Sequence, residues 1–320
     1  MPQKVIFILS LISSMIICMS TNSFLGIWMS MEINLFSFIP LISMNNMMNS
    51  EKSTTLYFLI QSISSTIILF SMIYMNLTIY LKDFMIMILL MGMFMKLSLF
   101  PFHFWMISML EGLTWDLCFI LMTIQKIIPL FSMMLIINKK IIIILCILNS
   151  CLSSINGMSM FSMRKIMGFS SMNNLSLILI SLMMSKKMFK IYFFIYVLMT
   201  LMCTKMFKVY NINFLFQTMN MYKYNKINNL NMLMVILSMA GIPPFLGFMP
   251  KLLMVMKMIE LNMIFLSAMI MIFNTLATYF YIRISFTNLM MNLNMSKVKK
   301  NKNKMKFPMF ILITPMTIFL

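Results

Sequence analysis

The 320-residue sequence has few acidic residues and little of the chemistry that holds cofactors. Six residues are Asp or Glu, and the only histidine is His103. One histidine cannot ligate a pair of haems or a metal cluster. The sequence contains neither a G-x-G-x-x-G motif nor a P-loop. Five cysteines show no C-x-x-C or iron–sulfur spacing; they are Cys18, Cys118, Cys146, Cys151 and Cys203. We therefore expect no redox centre, metal or nucleotide in this chain, and we read the cysteines as small buried hydrophobic residues.

Long apolar runs make up most of the chain instead. Hydrophobic residues account for 62% of it, and the mean hydropathy is +0.96. The runs have the length of a bilayer-spanning helix, and a spanning backbone must satisfy its own hydrogen bonds. The sequence thus predicts an all-α, polytopic transmembrane helix bundle. We place ten spans near residues 3–20, 24–43, 54–76, 84–106, 117–137, 141–161, 168–185, 190–210, 230–258 and 262–287, with a short eleventh candidate at 307–320.

Residue usage indicates a mitochondrial gene. The chain has 49 Met and 30 Phe but only seven Gly, a bias towards A/T-rich codons that is strengthened where ATA is read as Met. The net charge of +19 would suggest nucleic acid in a soluble protein. Here several of the lysines lie in the segment 297–306, which suits anionic lipid headgroups and not nucleic acid. The excess of Lys and Arg on one side predicts a multi-pass protein of the mitochondrial inner membrane with its N-terminus in the matrix.

Helix-breaking residues concentrate in one place, although the chain has few of them. Five of the Gly and Pro residues fall within 241–250, so the span around Pro243 and Pro244 should be a discontinuous helix. Lys251 follows directly. Lys96 and Pro101 form a weaker version of the same pattern. Each break falls in the fourth span of a five-span set, which predicts two inverted repeats, 3–137 and 141–287, followed by a basic tail with a short apolar helix, 288–320.

Four ionisable residues lie well inside predicted spans: Glu32, Lys96, Lys126 and Lys251. Each costs about 2.5–3.5 kcal/mol at the centre of a membrane helix. A lysine in low dielectric becomes a weaker base, and a nearby carboxylate restores its affinity for a proton. For charges about 6 Å apart at an effective dielectric near 20, this attraction is roughly 2.8 kcal/mol. The set therefore predicts a buried proton relay in which waters bridge the side chains.

Other interpretations remain open for several of these charges. Lys96 and Lys126 could snorkel or be structural partners of a buried carboxylate, and Glu32 could simply neutralise one of them. Lys251 could lie nearer the headgroups. His103 could extend the relay towards one surface or be structural. Glu111 and Asp116 could gather protons at a channel mouth, or they could be ordinary loop carboxylates. Lys205 lies near the end of a span, where its ammonium can reach the headgroups.

Five motifs, taken together, carry a family resemblance. They are GIWMSMEINLFSFIPLIS, KLSLFPFHFWMISMLEGLTW, MTIQKIIPL, MRKIMGFSSMNNL and GIPPFLGFMPKLL. The chain resembles the chain 2 family of mitochondrial NADH–ubiquinone oxidoreductases over about residues 25–285. That family supplies membrane-arm subunits of respiratory complex I and is similar to the Mrp-type cation/proton antiporters.

The resemblance implies residue roles. Glu32 matches the family's modulating glutamate, Lys96 its partner lysine on the first broken helix, Lys126 the central lysine and Lys251 the terminal lysine. Arg164 and Lys165 match loop contacts, and the tail 288–320 matches nothing. The resemblance further implies that FMN and iron–sulfur clusters reside in partner subunits, and that this chain contacts other membrane-arm and accessory subunits, lipids and no nucleic acid. A free-standing cation/proton antiporter and an inert scaffold subunit are the alternatives.

Overall fold

The computed structural model describes residues 2–21, 23–45, 50–77, 82–135, 139–223 and 226–294. Within these ranges the chain is helical and contains no strand, only one isolated antiparallel bridge between Ser162 and Phe214. The predicted all-α class is therefore confirmed. The lysine-rich segment 297–306 and the candidate helix 307–320 lie outside the described residues.

The described residues form thirteen α-helices and one 3-10 helix, Leu215–Lys223. The α-helices are α1 (Pro2–Ser20), α2 (Phe24–Ser43), α3 (Ser50–Leu77), α4 (Lys82–Leu97), α5 (Phe104–Glu111), α6 (Trp115–Met122), α7 (Ile124–Met133), α8 (Lys139–Ser159), α9 (Met163–Met184), α10 (Lys186–Val209), α11 (Lys226–Ala240), α12 (Phe248–Glu260) and α13 (Ile264–Asn294).

The helices belong to two compact units, residues 1–141 and 142–320. In the first unit α1, α2, α3 and α4 pack as sequential neighbours, and α7 contacts α1, α2, α4 and α6. In the second unit α9 contacts α10, α12 and α13, while α11 packs between α10 and α13. Central α9 is almost completely buried along Met163–Met184, which is why it tolerates a run of serines and asparagines that lipid would not.

The ten predicted spans appear as eight helical segments and two divided ones. The eight segments among the described residues are long and apolar enough to cross a membrane. The other two predicted spans, 84–106 and 230–258, are those expected to be discontinuous, and each is divided between two shorter helices. The predicted span 117–137 is interrupted at Thr123, and the last helix continues to Asn294 and not to 287.

Local chemistry explains where the interrupted helices end. At the end of α4, Ser98 has a positive φ of 56°, its N–H donates to Met95 O, and Leu99 N–H donates to Phe94 O. This pair of bonds is the Schellman termination, which satisfies the last carbonyls of a helix. In the second unit α11 ends at Ala240 because the following residue, Gly241, has a φ of +78° and two prolines come next.

Candidate functional site

Lys96 lies in the last turn of α4, just before the helix ends. Its side chain is buried, with 7% exposure. The carbonyl end of a helix carries partial negative charge, so this position suits a cation in an apolar environment. The interruption predicted from Lys96 and Pro101 therefore places the ammonium group at a helix terminus inside the first unit.

Lys126 lies just after the interruption between α6 and α7, which the sequence did not predict. Thr123 N–H and its hydroxyl both donate to Phe119 O, and Lys126 N–H donates to Thr123 O at 3.1 Å. These bonds replace the regular helical pattern for one turn. The Lys126 side chain is 3% exposed, so a second lysine is buried beside a distorted backbone.

Lys96 and Lys126 line the same small cavity in the first unit, which has a volume of about 20 Å³. That volume holds about one water molecule. Apolar side chains cover part of the cavity, and its other polar lining residues are Asn34, Tyr57, Gln61, Ser98 and Gln125. Asn34 Oδ1 and Gln125 Nε2 are buried and lack hydrogen-bond partners among the described residues. The cavity thus offers two ammonium groups together with unpaired acceptors and donors suited to water.

Glu32 lies on α2 close to this cavity, between the lining residues Met31 and Asn34. Its carboxylate interacts electrostatically with Lys96 and with Tyr57. The Oε1 atom is buried and has no hydrogen-bond partner among the described residues. The first unit therefore contains one carboxylate and two lysines of the predicted set, and the carboxylate interacts electrostatically with Lys96.

Lys251 belongs to the second unit, in the first turn of α12. Its Nζ donates to the carbonyl oxygen of Ala240, the last residue of α11, at 2.8 Å. The close approach requires Gly241, because a Cβ atom there would lie 2.8 Å from Lys251 Nζ. Lys251 is half-buried. From the start of α12 its ammonium group caps the carbonyl end of α11, where the last carbonyls lack partners within the helix.

Polar residues that the sequence analysis did not select surround Lys251. A cavity of about 20 Å³ beside it is also lined by Asn174, Tyr192, Tyr196 and Ser238. Tyr192 donates to Asn174 Oδ1 at 3.3 Å. A second, mostly apolar pocket of about 220 Å³ on another side of Lys251 includes Asn274, whose Oδ1 accepts from Asn173 at 2.9 Å. For Asn173 and Asn174, the signal that could have found them is the run of serines and asparagines within the span of α9.

The remaining predicted residues lie apart from the cavity of the first unit. His103 is 2% exposed and packs beside Phe104, with ring centroids 4.0 Å apart; among the described residues it does not line that cavity. Glu111 and Asp116 are exposed, and so is Lys205 on α10. Arg164, in the first turn of α9, donates to Asn213 Oδ1 at 3.0 Å, a contact to a loop as expected.

Among the described residues, no three His, Cys, Asp or Glu side chains are grouped so that they could share a metal ion. The charged groups at the two lysine sites are the lysine ammonium groups and the Glu32 carboxylate. They can hold, repel and pass protons, and the adjoining amides and hydroxyls can orient water.

Comparisons with known proteins agree with these features. A family model described as NADH:quinone oxidoreductase/Mrp antiporter, transmembrane, matches residues 21–278. The chain is 36% identical to NADH-ubiquinone oxidoreductase chain 2 of Anopheles gambiae over 90% of this chain and 86% of the relative. The corresponding protein of Aedes aegypti is 35% identical over the same shares, and that of Locusta migratoria 30%.

Solved structures share the fold. A chain of respiratory complex I from Thermus thermophilus with bound aureothin superposes with a TM-score of 0.82 at 17% identity, covering 89% of this chain and 70% of that one. A chain of the Mrp complex from a Dietzia species gives a TM-score of 0.79 at 14% identity, covering 87% and 59%. Fold and matches together define an antiporter-like, multi-pass membrane protein. The chain belongs to the NADH:quinone oxidoreductase/Mrp antiporter family, within the group of NADH-ubiquinone oxidoreductase chain 2, as the sequence motifs predicted.

Proposed function

We propose that the chain is a proton-translocating membrane-arm subunit of respiratory complex I in the mitochondrial inner membrane. One observation carries the proposal: two buried lysines line one water-sized cavity inside apolar helices, and the half-buried Glu32 carboxylate interacts with one of them. Such charges are expensive in a membrane and mark ion pathways. Named relatives are subunits of NADH-ubiquinone oxidoreductase, which supports the assignment to that enzyme.

In the proposed mechanism, the Glu32 carboxylate stabilises a proton on Lys96. When that carboxylate moves away, Lys96 loses the attraction that held its proton, and the proton passes through water to the neutral amine of Lys126. Repulsion between two ammonium groups in a low dielectric keeps both lysines from being charged at once. Lys251 performs the corresponding exchange in the second unit. His103 extends the path towards one surface. The energy comes from NADH oxidation and quinone reduction in partner subunits, which hold the FMN and iron–sulfur clusters.

The architecture that goes with this proposal has two inverted five-helix repeats, residues 3–137 and 141–287, each with a discontinuous fourth helix. The interruptions between α4 and α5 and between α11 and α12, each next to a buried or half-buried lysine, support it. The N-terminus lies in the matrix. Other membrane-arm and accessory subunits and lipids contact the chain.

Replacing Lys126 with Met in the intact complex tests the function. The substitution keeps an unbranched side chain of similar length and removes the proton-binding amine. We expect proton translocation per NADH to fall or turnover coupled to translocation to be lost, since the relay then lacks its central carrier. The matched control is Lys205→Met, which removes an exposed lysine from the apolar helix α10.

Both variants are measured by proton uptake in vesicles and by NADH oxidation with an artificial acceptor, which reports the amount of assembled enzyme. Unchanged proton translocation in the Lys126→Met complex would favour the inert scaffold over the proposed relay. A fall in both variants alike would show that the loss of any membrane lysine is harmful, and the specific role would be withdrawn.

A further inference from the structure

A hydrogen bond joins α3 to α7 beside the cavity that Lys96 and Lys126 share. The hydroxyl of Tyr57 donates to Gln125 Oε1 at 3.0 Å. Both side chains line the cavity, and Gln125 directly precedes Lys126. Tyr57 is 2% exposed. A single polar contact therefore fixes the carboxamide next to the second lysine.

Aromatic packing fixes the position of the Tyr57 ring independently of its hydroxyl. The ring lies edge-on to Phe38, with centroids 5.1 Å apart, and 6.2 Å from the ring of Trp105. Trp105 in turn donates from Nε1 to Met95 O at 3.2 Å, one residue before Lys96. The tyrosine is thus held by its ring, and its hydroxyl is available to orient Gln125.

The orientation of Gln125 determines which of its groups remains free for the cavity. Because Oε1 accepts from Tyr57, the Nε2 group is the one left to donate, and it is buried without a partner among the described residues. A buried water makes about three hydrogen bonds. A water that accepts from Gln125 Nε2 keeps one lone pair for an ammonium N–H and two hydrogens for acceptors.

Such a water can pass a proton between the lysines. One N–H bond of the charged lysine breaks as an O–H bond to the water forms, and one original O–H bond of the water breaks as an N–H bond to the neutral amine forms. The water is regenerated, and one proton has moved. The transfer depends on the water's orientation, because proton donors and acceptors must lie within hydrogen-bond reach.

We propose that Tyr57 and Gln125 are positioning residues for proton transfer between Lys96 and Lys126: Tyr57 orients the Gln125 carboxamide, and the carboxamide orients the transferring water. The proposal rests on the proton-relay function argued above. It adds two residues that carry no charge.

The intact complex carrying Tyr57→Phe, Gln125→Met or both substitutions tests the proposal. Tyr57→Phe keeps the ring and its packing, so the complex should assemble. We expect coupled turnover to fall about tenfold in each single variant, within the hundredfold that misplacing a reacting group can cost. The solvent isotope effect, measured as the ratio of rates in H₂O and D₂O, should rise because proton transfer becomes rate-limiting. Tyr74→Phe, an exposed tyrosine on the same helix, is the control and should change neither quantity.

The double variant separates a positioning role from two independent ones. If Tyr57 acts through Gln125, the double variant should be no slower than Gln125→Met alone; multiplied losses would contradict the proposed order of action. Normal rates and isotope effects in both single variants, with Lys126→Met impaired, would overturn the positioning role and leave the proposed function intact. Normal proton translocation in Lys126→Met would instead remove the proposed function itself. Should Gln125→Met reduce assembly, Gln125→Asn, which keeps a shorter carboxamide, provides the same comparison.

Discussion

Arg283, on α13, covers the carbonyl end of α8 in the second unit. Its guanidinium donates to the carbonyl oxygens of Met158 and Met160 and lies 5.7 Å from the centroid of the Phe161 ring. The last carbonyls of a helix have no partner within the helix. A planar guanidinium presents its donors as a rigid fork that can bond two of them while its face stacks on an aromatic ring, and an ammonium group has no such planar fork.

We therefore expect Arg283→Lys to lower the stability of the assembled protein by about 1–2 kcal/mol, through loss of one charge-assisted hydrogen bond and the ring contact. Thermal unfolding of the complex, monitored through the release of this subunit, measures the change in stability. Arg283→Met removes both bonds and should destabilise more. Equal stability of the Lys variant and the parent protein would mean that two-carbonyl capping contributes nothing.

At the same scale, the sequence revealed charged residues better than neutral ones. Lys96 and Lys126 were recognised because a charge in an apolar run is costly wherever the chain folds. Tyr57 and Gln125 were not, because neutral polar residues recur in many of the apolar runs and nothing local shows that α3 and α7 meet. Their importance depends on a contact between residues 68 positions apart.

Among the elements, the turn between α11 and α12 depends on an unusually close backbone contact. A Cβ atom added at Gly247 would lie 1.9 Å from the carbonyl oxygen of Ser238 on α11. Backbone cannot move aside as a flexible side chain can. Gly247 therefore sets how closely the start of α12, and with it Lys251, approaches α11.

Gly247→Ala should force the two half-helices apart and destabilise the protein by about 1–3 kcal/mol, as overpacking of a tight core does. The amount of assembled complex, measured on native gels, reports the loss. Gly157→Ala is the matched control, because its nearest neighbours are side-chain atoms of Phe280 at 3.2 Å, so an added Cβ atom requires a displacement of only a few tenths of an ångström. If both variants assembled equally well, the close approach at Gly247 would not be needed.

Helix interruptions were predictable only where proline or glycine follows closely, as Pro101 does after α4. The break after Ala240 followed from Pro243 and Pro244. The break at Thr123 could not be predicted, because the only nearby proline, Pro129, lies inside α7. Here side chain and backbone of Thr123 share the carbonyl of Phe119. A threonine that bonds back to its own helix is common, so its sequence gives no warning.

At the scale of the whole molecule, class and family followed from the sequence with few alternatives. Apolar runs define a membrane helix bundle regardless of packing, and the motifs span most of the region that the family model matches. The interruption at Thr123 did not follow, because hydropathy averages over a break of a few residues. Hydropathy and charge also leave open whether the chain exchanges ions alone or only with partners.

The antiporter alternative makes its own prediction for the isolated chain. A free-standing antiporter exchanges sodium or potassium for protons along an imposed ion gradient. The proposed relay instead receives its energy from partner subunits. The chain is purified alone, its helical content is verified by circular dichroism, and it is inserted into liposomes. We expect the internal pH of these liposomes to stay unchanged when a sodium or potassium gradient is imposed. Vesicles containing the whole complex and given NADH should acidify in the same assay. Sodium- or potassium-driven pH changes by the isolated chain, abolished by Lys126→Met, would establish exchange through the same lysines and make partner-driven translocation unnecessary.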